Sequence, residues 1–436
     1  WSLENIPISQ RRSVRITQTR GFTFIGKRKN NMAKKKKKKR GRKKIVLFIF
    51  EILVLLIVLA VLGLYNSTIG KIDFKDDLSA SEAGINDDID EDSVQTMHGY
   101  LNVALFGLDN RSSGKYDGGN SDCIMIASLN YDTNEVKLAS LYRDTYLSVG
   151  KGKYYKANNA FANGGAENAV RMINSNLDMN ITKYVCVDWK ALVDVIDALG
   201  GLDLDLTKEE VHWVNGYITE TANSIGYGCE AVKGEGRIHL NGVQAVAYSR
   251  IRYTSGDDFL RASRQRIVLQ AILEKCKGED IATLTSMCSS MMDDISTNFT
   301  VKEILSLAKN VTKYQISSTT GFPYNVTTMK LSNIGDTVIP IDLAIDVVQL
   351  HKYLFEDESY TVSNTVQAIS DAVQKKTGVD SKTEIYDTTK YNNTAGATGT
   401  EGAKQKNKDA QDALKKSQSE SENDSTTKSS SDDSDD

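Results

Sequence analysis

The strongest constraint on this chain is a long apolar run at residues 45–65, IVLFIFEILVLLIVLAVLGLY, in which Glu51 is the only charged residue. A helix of about 20 apolar residues crosses the ~30 Å hydrocarbon core of a membrane. Ten Lys and Arg residues lie just before this run, between residues 34 and 44, and such basic clusters mark the cytoplasmic side. A cleaved signal peptide is the alternative, but its apolar core is shorter, about 7–15 residues. The sequence therefore predicts a single membrane-spanning helix, with the N-terminus in the cytoplasm and the rest of the chain outside.

Differences in amino-acid composition divide the rest of the chain into segments. Residues 1–44 form a basic cytoplasmic segment with 17 Lys and Arg against one acid, and Met32, beside the lysine block, resembles a natural translation start. The acidic residues 66–98 show little periodicity and favour an extracellular stalk. Residues 378–436 are dominated by Ser, Thr, Lys and Asp, cannot bury a core and are predicted to be disordered. The folded part is expected within residues 99–377.

The net charge of the whole chain is −3, but this charge is unevenly distributed. It is +16 over residues 1–44, −15 over residues 45–380 and −4 over residues 381–436. This distribution excludes a uniformly basic nucleic-acid-binding protein. The four histidines are scattered, which argues against a histidine-built zinc site or a Ser-His-Asp triad. The five cysteines contain no C-x-x-C pair, so a disulfide framework is not expected.

Hydrophobic patterns in the folded part alternate between strands and helices. Strands are predicted at 101–108, 123–130, 136–142, 184–188 and 246–252, and helices at 166–177, 189–200 and 258–276. Helices and short strands follow in 281–377, as an extension of the same domain or as a small neighbour. The order predicts an α/β chain, an α+β sandwich in which helices cover both sides of a central mixed β-sheet, with a C-terminal helical extension.

Arginine is concentrated in one part of this pattern. Arg250 and Arg252 lie two residues apart on the predicted strand 246–252, and Arg261 and Arg264 lie near the start of the next helix. At 100° per residue, both helix arginines share an inward stripe with Val268 and Ile272. Only Asp257 and Asp258 are near them in sequence, too few to balance four guanidinium groups. The pattern favours a phosphate-binding site. The alternative is a solvated basic helix face paired with Asp257, Asp258 and Glu274.

A second set of charged residues lies at strand ends. Asp109 and Arg111 follow the first strand, Asp122 precedes the second, Arg143 and Asp144 follow the third, and Lys156 lies in the next loop. Charged groups at successive strand ends converge on one edge of an open sheet, where such folds bind ligands. Two carboxylates on adjacent strand ends could hold Mg²⁺ together with substrate phosphates. The alternative is that each Asp is an ordinary turn or cap residue.

Six ordered motifs over about residues 99–275 resemble the LytR-CpsA-Psr family of Gram-positive cell-wall assembly proteins. They are LFGLDNR, the SD before CIMI, SLYRDT, KANNAFANGG, VDWKALVDVIDALGG, and LNGVQAVAYSRIR followed by DDFLRASRQ. The resemblance implies a catalytic domain at 99–275 and a C-terminal extension at 276–377. It also implies an extracellular phosphotransferase that moves a glycopolymer, such as teichoic acid or capsule, from undecaprenyl pyrophosphate to the muramic acid 6-hydroxyl of peptidoglycan.

The resemblance also implies roles for individual residues. Asp109 and Asp122 would hold Mg²⁺, with Mn²⁺ as an alternative. The pyrophosphate would be bound by Arg111, Arg143, Arg250, Arg252, Arg261, Arg264 and Gln265, with Lys156 as a weaker candidate. Catalysis would depend on Arg143, Arg250, Arg252, Asp144 and Asp258, and Asp144 or Asp258 is our candidate for the general base. The acceptor hydroxyl could instead lose its proton to water or to a phosphate oxygen.

The expected partners are a polyprenyl-pyrophosphate-linked glycan, peptidoglycan and the cell membrane, without nucleic acid. Two functions of other classes remain open from the sequence. A lipid-pyrophosphate hydrolase would use the same site with water as the acceptor, and a membrane-anchored wall-binding or regulatory protein would bind without turnover.

Overall fold

The computed structural model describes residues 73–74, 78–109, 119–252, 257–290 and 295–388. The predicted membrane helix, the basic N-terminal segment, Arg111 and residues 389–436 of the predicted disordered tail lie outside these residues. The first part of that tail, residues 378–388, is described and contradicts the prediction, because Val379 is buried and Tyr386–Asp387 forms a strand. Within the described ranges, no helix combines the length and the apolar character needed to cross a bilayer.

The described residues form the following strands and helices. The strands are β1 (Asp73–Phe74), β2 (Tyr100–Leu108), β3 (Ser121–Asn130), β4 (Glu135–Leu141), β5 (Tyr146–Ser148), β6 (Tyr154–Lys156), β7 (Lys183–Asp188), β8 (Leu202–Leu206), β9 (Gly236–Leu240), β10 (Ile295–Thr297), β11 (Gln315–Phe322), β12 (Asn325–Leu331), β13 (Gly335–Pro340) and β14 (Tyr386–Asp387). The helices are α1 (Ala80–Ala83), α2 (Glu91–His98), α3 (Asn159–Ala162), α4 (Gly165–Leu177), α5 (Trp189–Ala198), α6 (Lys208–Ile225), α7 (Gly242–Arg250), α8 (Asp257–Lys277), α9 (Ile281–Ser290), α10 (Val301–Lys309), α11 (Leu343–Phe355) and α12 (Asn364–Thr377).

A seven-stranded sheet forms the centre of the fold, in the order β1-β10-β7-β2-β3-β4-β11. The β2–β3 and β3–β4 pairs are antiparallel, whereas β2–β7 and β4–β11 are parallel. The prediction of an α+β fold with a central mixed sheet and helices is therefore confirmed. Strands β2, β4, β7 and β11 run in one direction, so their carboxyl ends lie at the same edge as the start of β3. We call this edge the site edge.

Both faces of the sheet are covered by helices. On one face, Phe106 of β2 packs against Phe161 of α3, with ring centroids 5.4 Å apart, within the main hydrophobic core. On the other face, Nε of Arg266 in α8 donates to Oγ1 of Thr319 in β11 at 3.3 Å. Burial of each large apolar side chain in such a core contributes about 1.5–3 kcal/mol.

One predicted strand is wrong. Residues 246–252 do not form a strand, because Gly242–Arg250 is the helix α7. The Oδ1 of Asn241 accepts from the backbone N–H of Gln244, and the side chain of Gln244 accepts from the N–H of Asn241. This capping box starts a helix, so Arg250 is the last residue of α7 and does not share a strand face with Arg252.

The acidic stretch assigned above to a stalk is folded where the structure describes it. Its apolar side chains Leu78, Ala83, Ile89 and Met97 are buried in the main core. Its acids cap helices: Asp90 accepts from the N–H of Ser93 at 2.8 Å to start α2, and Asp88 accepts from the N–H of Thr365 at 2.9 Å. At least two acids of this stretch therefore satisfy backbone N–H groups at helix starts.

The segment after residue 276 also enters the central sheet. Strand β10 pairs with β7, and β11 pairs with β4 from Gln315↔Glu135 to Phe322↔Leu141. Residues of α11 and α12, such as Val347 and Val366, are buried in the same core as β2. The sheet that carries the site edge is therefore completed by strands from this segment.

Candidate functional site

The site begins at the ends of β2 and β3. Gly107 pairs with Cys123 and Leu108 pairs with Ser121, which leaves Asp122 as the extra residue of a β-bulge. A bulge redirects a side chain at the end of a strand. Asp109 follows Leu108 directly, and its Oδ1 is buried. The two carboxylates predicted at adjacent strand ends are therefore both carried on the site edge.

The turn after β4 is held by backbone hydrogen bonds. The N–H of Thr145 donates to the carbonyl of Tyr142 at 3.0 Å, and the N–H of Asn158 donates to the carbonyl of Arg143 at 3.0 Å. From the neighbouring small sheet β13-β12-β14, Val338 donates its N–H to the carbonyl of Asp144 at 2.9 Å. These contacts fix the backbone from which the side chains of Arg143 and Asp144 project.

Five charged side chains form what we call the central cluster: Arg143, Arg252, Arg261, Asp122 and Asp258. Oδ1 of Asp258 lies 2.8 Å from Nη2 of Arg261 and 3.6 Å from Nε of both Arg143 and Arg252. Nη1 of Arg143 also donates to Oδ1 of Asp122, and Nη1 of Arg261 lies 3.9 Å from Oδ2 of Asp122. Three guanidinium groups, from the β4 turn, the segment just after α7 and the start of α8, thus meet around two carboxylates.

Burial and charge act in opposite directions on the arginines of the central cluster. Burial lowers the pKa of Arg261, and the nearby Asp258 only partly offsets this effect. Burial also acts to lower the pKa of Arg143, but Asp258, Asp122 and Asp144 together raise it. Since arginine stays protonated in proteins, both side chains remain cationic, and the carboxylates are what allow them to be buried.

Lys156 and Asp144 extend the central cluster on one side. Nζ of Lys156 at the end of β6 lies 3.1 Å from Oδ1 of Asp144, and Oδ2 of Asp144 lies 3.7 Å from Nε of Arg143. Lys156, the weaker pyrophosphate candidate, therefore contacts Asp144 directly. It is connected to Asp258, the other general-base candidate, through Asp144 and Arg143.

Arg250 lies in a separate setting, at the end of α7. Its guanidinium carbon lies 3.6 Å from the ring centroid of Trp189. Nη1 donates to Oγ1 of Thr221 at 2.6 Å, and Nη2 lies 3.1 Å from Oε2 of Glu220. Burial lowers the pKa of Arg250, against the opposing charges of Glu220 and Asp109. Asp109 therefore links this arginine electrostatically to the site edge.

Arg264 is almost fully buried, with 4% of its side chain exposed. Its Nε donates to Oε1 of Glu210 at 2.9 Å, and its Nη1 donates to the carbonyl of Ile251 at 3.2 Å. These contacts tie α8 to α6 and to the end of α7. Gln265, the next residue, is half-buried on α8.

The prediction that these arginines have too few carboxylate partners is wrong. The sequence near the arginines suggests only Asp257 and Asp258 as partners, but four further carboxylates come from distant segments: Asp122, Asp144, Glu210 and Glu220. The residues that sequence reasoning missed are Trp189, Thr221, Glu210 and Glu220. Nothing in the spacing of α6 distinguishes its glutamates from those of any solvated helix.

Metal-binding capacity at the site rests on two carboxylates. In the part of the chain that the structure describes, no group of three or more His, Cys, Asp or Glu side chains is arranged to hold a metal ion. Asp109 and Asp122 are the candidates on the site edge, and a cation there would need further oxygen ligands.

The chain is similar to several known proteins. It is 34% identical over 215 residues to a Bacillus mycoides protein and 29% identical over 211 residues to an Enterococcus faecalis protein, both named polyisoprenyl-teichoic acid–peptidoglycan teichoic acid transferase TagU. Each match covers 48% of this chain and 64% of the relative, so it spans less than two thirds of the relatives' length. The chain is also similar to a Streptococcus agalactiae protein of known crystal structure, with 26% sequence identity and a TM-score of 0.50. This match covers 64% of this chain and 95% of the S. agalactiae chain.

These similarities agree with the fold and with the ordered motifs that carry the central cluster. The family model for the LytR_cpsA_psr family matches residues 69–341, which is more than half of the chain and includes β2 to β13. The chain belongs to the LytR-CpsA-Psr family.

Proposed function

We propose that this chain is an extracellular phosphotransferase that moves an anionic glycopolymer from undecaprenyl pyrophosphate to the muramic acid 6-hydroxyl of peptidoglycan. The observation that carries the proposal is the meeting of Arg143, Arg252 and Arg261 around Asp258 and Asp122 at the site edge. The names of the TagU relatives support the same class of reaction, with teichoic acid as their glycopolymer. Teichoic acid and capsule are both candidate cargoes here.

The proposed reaction breaks a phosphoanhydride bond and forms a phosphate ester bond. The acceptor oxygen forms a bond to the phosphorus that carries the glycan, and the bond from this phosphorus to the bridging oxygen breaks. The products are a glycan–peptidoglycan phosphodiester and polyprenyl phosphate, which takes the bridging oxygen, and the hydroxyl proton goes to a base. Such transfers depend mainly on positioning and on stabilising charge at phosphate oxygens.

The arginines are suited to that charge stabilisation. Arg252 is the most accessible member of the central cluster, with 40% of its side chain exposed, against 13% for Arg143 and 6% for Arg261. We propose that a pyrophosphate contacts Arg252 first and then shares Arg143 and Arg261 with their carboxylates. Arg250, Arg264, Gln265, Lys156 and Arg111 complete the proposed pyrophosphate-binding set.

The proton acceptor is proposed to be Asp144 or Asp258. Asp258 lies at the centre of three guanidinium groups, and Asp144 lies between Arg143 and Lys156. An Asp→Asn change at each position separates them, because loss of the base lowers the rate constant for transfer while the binding of the donor is retained.

Asp109 and Asp122 fit a magnesium ion as a proposed cofactor, with Mn²⁺ as an alternative. Their donor atoms are carboxylate oxygens on adjacent strand ends, and the buried Oδ1 of Asp109 is a suitable ligand atom. Mg²⁺ is usually held by one or two carboxylates plus substrate phosphates, so two protein ligands are sufficient. A bound Mg²⁺ would supply positive charge beside the phosphate oxygens. Binding of Mn²⁺, followed by electron paramagnetic resonance, should weaken in Asp109→Asn and Asp122→Asn.

The location is also a proposal. Residues 45–65 would anchor the chain in the cell membrane with the N-terminus in the cytoplasm, so that the site lies outside, where the polyprenyl carrier and peptidoglycan meet. Labelling of single cysteines on either side of residues 45–65 with a membrane-impermeant reagent tests this orientation.

The function is tested with the full chain in detergent, a synthetic polyprenyl-pyrophosphate-linked glycan and peptidoglycan fragments. Mass spectrometry should find a glycan–peptidoglycan adduct, which disappears in the double variant Arg252→Ala, Asp109→Ala. The control is Arg237→Ala, which removes an exposed arginine paired with Asp205 on the two-stranded sheet β8-β9. Glycan release without an adduct would indicate a hydrolase, and binding without turnover would indicate a wall-binding protein.

A further inference from the structure

The C-terminal strand β14 lies beyond residue 341, where the match to the family model ends. Its residues pair with β12 in antiparallel register, Tyr386 with Val326 and Asp387 with Asn325. Oγ1 of the next residue, Thr388, donates to the carbonyl of Tyr324 at 3.1 Å, and Thr388 is fully buried. Strand β14 is therefore fixed to the fold by backbone pairing and by a buried side chain.

Tyr386 joins a row of three aromatic rings that ends at the central cluster. Its ring stacks on Phe259 of α8, with centroids 5.3 Å apart and an interplanar angle of 23°. Phe259 meets Tyr142 edge to face, with centroids 4.6 Å apart and an angle of 89°. Phe259 follows Asp258 in the chain and Tyr142 precedes Arg143, so the row connects β14 to both sides of the Asp258–Arg143 ion pair.

The same small sheet also holds the β4 turn. Val338 of β13 donates its N–H to the carbonyl of Asp144, and Val338 and Val326 are buried in one cluster with Tyr142 and Phe259. The sheet β13-β12-β14 thus contacts the turn that carries Arg143 through its backbone and contacts α8 through Tyr386.

We propose that Tyr386 is a positioning residue for the central cluster, which rests on the proposed function. Stacked aromatic pairs have a preferred geometry, so the Tyr386 ring fixes Phe259 and, with it, the start of α8 and the Asp258 carboxylate. A displacement of about 1 Å in a group that positions a reacting phosphate is enough to reduce the rate severely. Tyr386 is 36% exposed, so its ring contributes less to the core than Phe259 or Tyr142.

The test compares three variants of the full chain in detergent: Tyr386→Ala, Tyr386→Phe and Ile385→Ala. Ile385 is the exposed neighbour of Tyr386 on the same segment and is the matched control. Transfer of glycan to peptidoglycan should fall on the order of ten-fold in Tyr386→Ala and remain near wild type in the other two. Restoration by Phe is expected because the stacked ring, not the hydroxyl, carries the effect.

Hydrogen exchange gives a second readout that does not depend on activity. The amides of Thr145 and Asn158 are bonded to the carbonyls of Tyr142 and Arg143, and they should exchange faster in Tyr386→Ala than in Ile385→Ala. Equal exchange and equal transfer in Tyr386→Ala and wild type would overturn the proposal, as would an equal loss in Ile385→Ala or a failure of Phe to restore transfer. A wild-type chain without transfer would instead refute the proposed function, and the exchange rates would still decide whether Tyr386 holds the β4 turn.

Discussion

The guanidinium carbon of Arg250 lies 3.6 Å from the ring centroid of Trp189, and both residues lie at ends of elements that meet at the site edge. Trp189 follows β7 directly as the first residue of α5, and Asp188 caps that helix by accepting from the N–H of Ala191 at 2.9 Å. The indole is therefore held in place by a capped helix and a buried strand. It provides a fixed surface on which a partly desolvated guanidinium group is oriented.

The first prediction concerns this contact. A cation–π contact of a desolvated arginine with tryptophan is worth about 2 kcal/mol, so Trp189→Leu should weaken donor binding by about ten- to thirty-fold. Trp189→Phe keeps a weaker aromatic face and should give a smaller loss. The measurement is the KM for the polyprenyl-pyrophosphate donor and the kcat of transfer. Equal KM values in the leucine and phenylalanine variants would show that Trp189 only fills space.

The second prediction separates two arginines of the central cluster by stability. Arg261 is 5% exposed and lies 2.8 Å from Asp258, so Arg261→Ala removes a partner from a mostly buried carboxylate and should lower the free energy of unfolding by about 3 kcal/mol. The side chain of Arg252 is 40% exposed, and Arg252→Ala should change that free energy by less than about 1 kcal/mol.

Both of these arginine variants should lose transfer activity. Chemical denaturation of the full chain, followed by tryptophan fluorescence, checks the two stability values. A large destabilisation in Arg252→Ala would contradict the placement of that side chain at the accessible rim of the central cluster.

The parts of the site that could be predicted from the sequence are those set by local periodicity. The predicted strands at 101–108, 123–130 and 136–142 correspond to β2, β3 and β4, since each is a short segment rich in apolar residues. Their ends therefore place Asp109, Asp122 and Arg143 correctly on one edge. The helical spacing of Arg261, Arg264, Val268 and Ile272 likewise predicts an inward stripe, in which the first three are buried and Ile272 is partly buried.

The parts that could not be predicted depend on long-range packing. Arg264 and its partner Glu210 are 54 residues apart, and no local pattern pairs two helices across that distance. The Trp189–Arg250 contact also joins residues that are far apart in the sequence, and no local pattern predicts it. The α7 helix is different, because the Asn241–Gln244 capping box was present in the sequence, but the apolar run after it also fits a strand. Strand β14 has two residues, too few for any periodic signal.

The third prediction concerns acid stability at His351 of α11. Its ring is 1% exposed, stacks on Tyr360 with centroids 3.7 Å apart, and bonds through Nε2 to the carbonyl of Leu177. Burial lowers the pKa of His351 to about 4, although the Leu177 carbonyl and the carboxylates of Asp178, Asp357 and Asp90 oppose this. Between this value and the ordinary value of 6.5, the unfolded chain binds more protons than the folded one. The stability therefore falls as the pH is lowered through this range.

At pH 5 this effect corresponds to about 2 kcal/mol relative to neutral pH. His351→Gln keeps a donor for the Leu177 carbonyl and has no titration, so the difference in unfolding free energy between wild type and variant should shrink by this amount from pH 7 to pH 5. Taking the difference is necessary because burial raises the pKa of Asp346, which gives a pH dependence of the opposite sign. A constant difference across the range would contradict the prediction.

The last prediction compares two helix glycines. A Cβ at Gly242, the first residue of α7, would lie 2.3 Å from the carbonyl oxygen of Val193 in α5, so Gly242→Ala should push α7 from α5 and cost about 1–3 kcal/mol. A Cβ at Gly216, within α6, would meet nothing within 4 Å, so Gly216→Ala should stabilise the chain by about 0.5–1 kcal/mol. Because α7 ends at Arg250, the Gly242 variant should also lose transfer activity, whereas the Gly216 variant should keep it. Thermal melting and the transfer assay, run on both variants, check the predicted directions of the changes in stability and activity. If Gly242→Ala stabilised the chain, α5 and α7 would not be in the close contact on which the position of Arg250 depends.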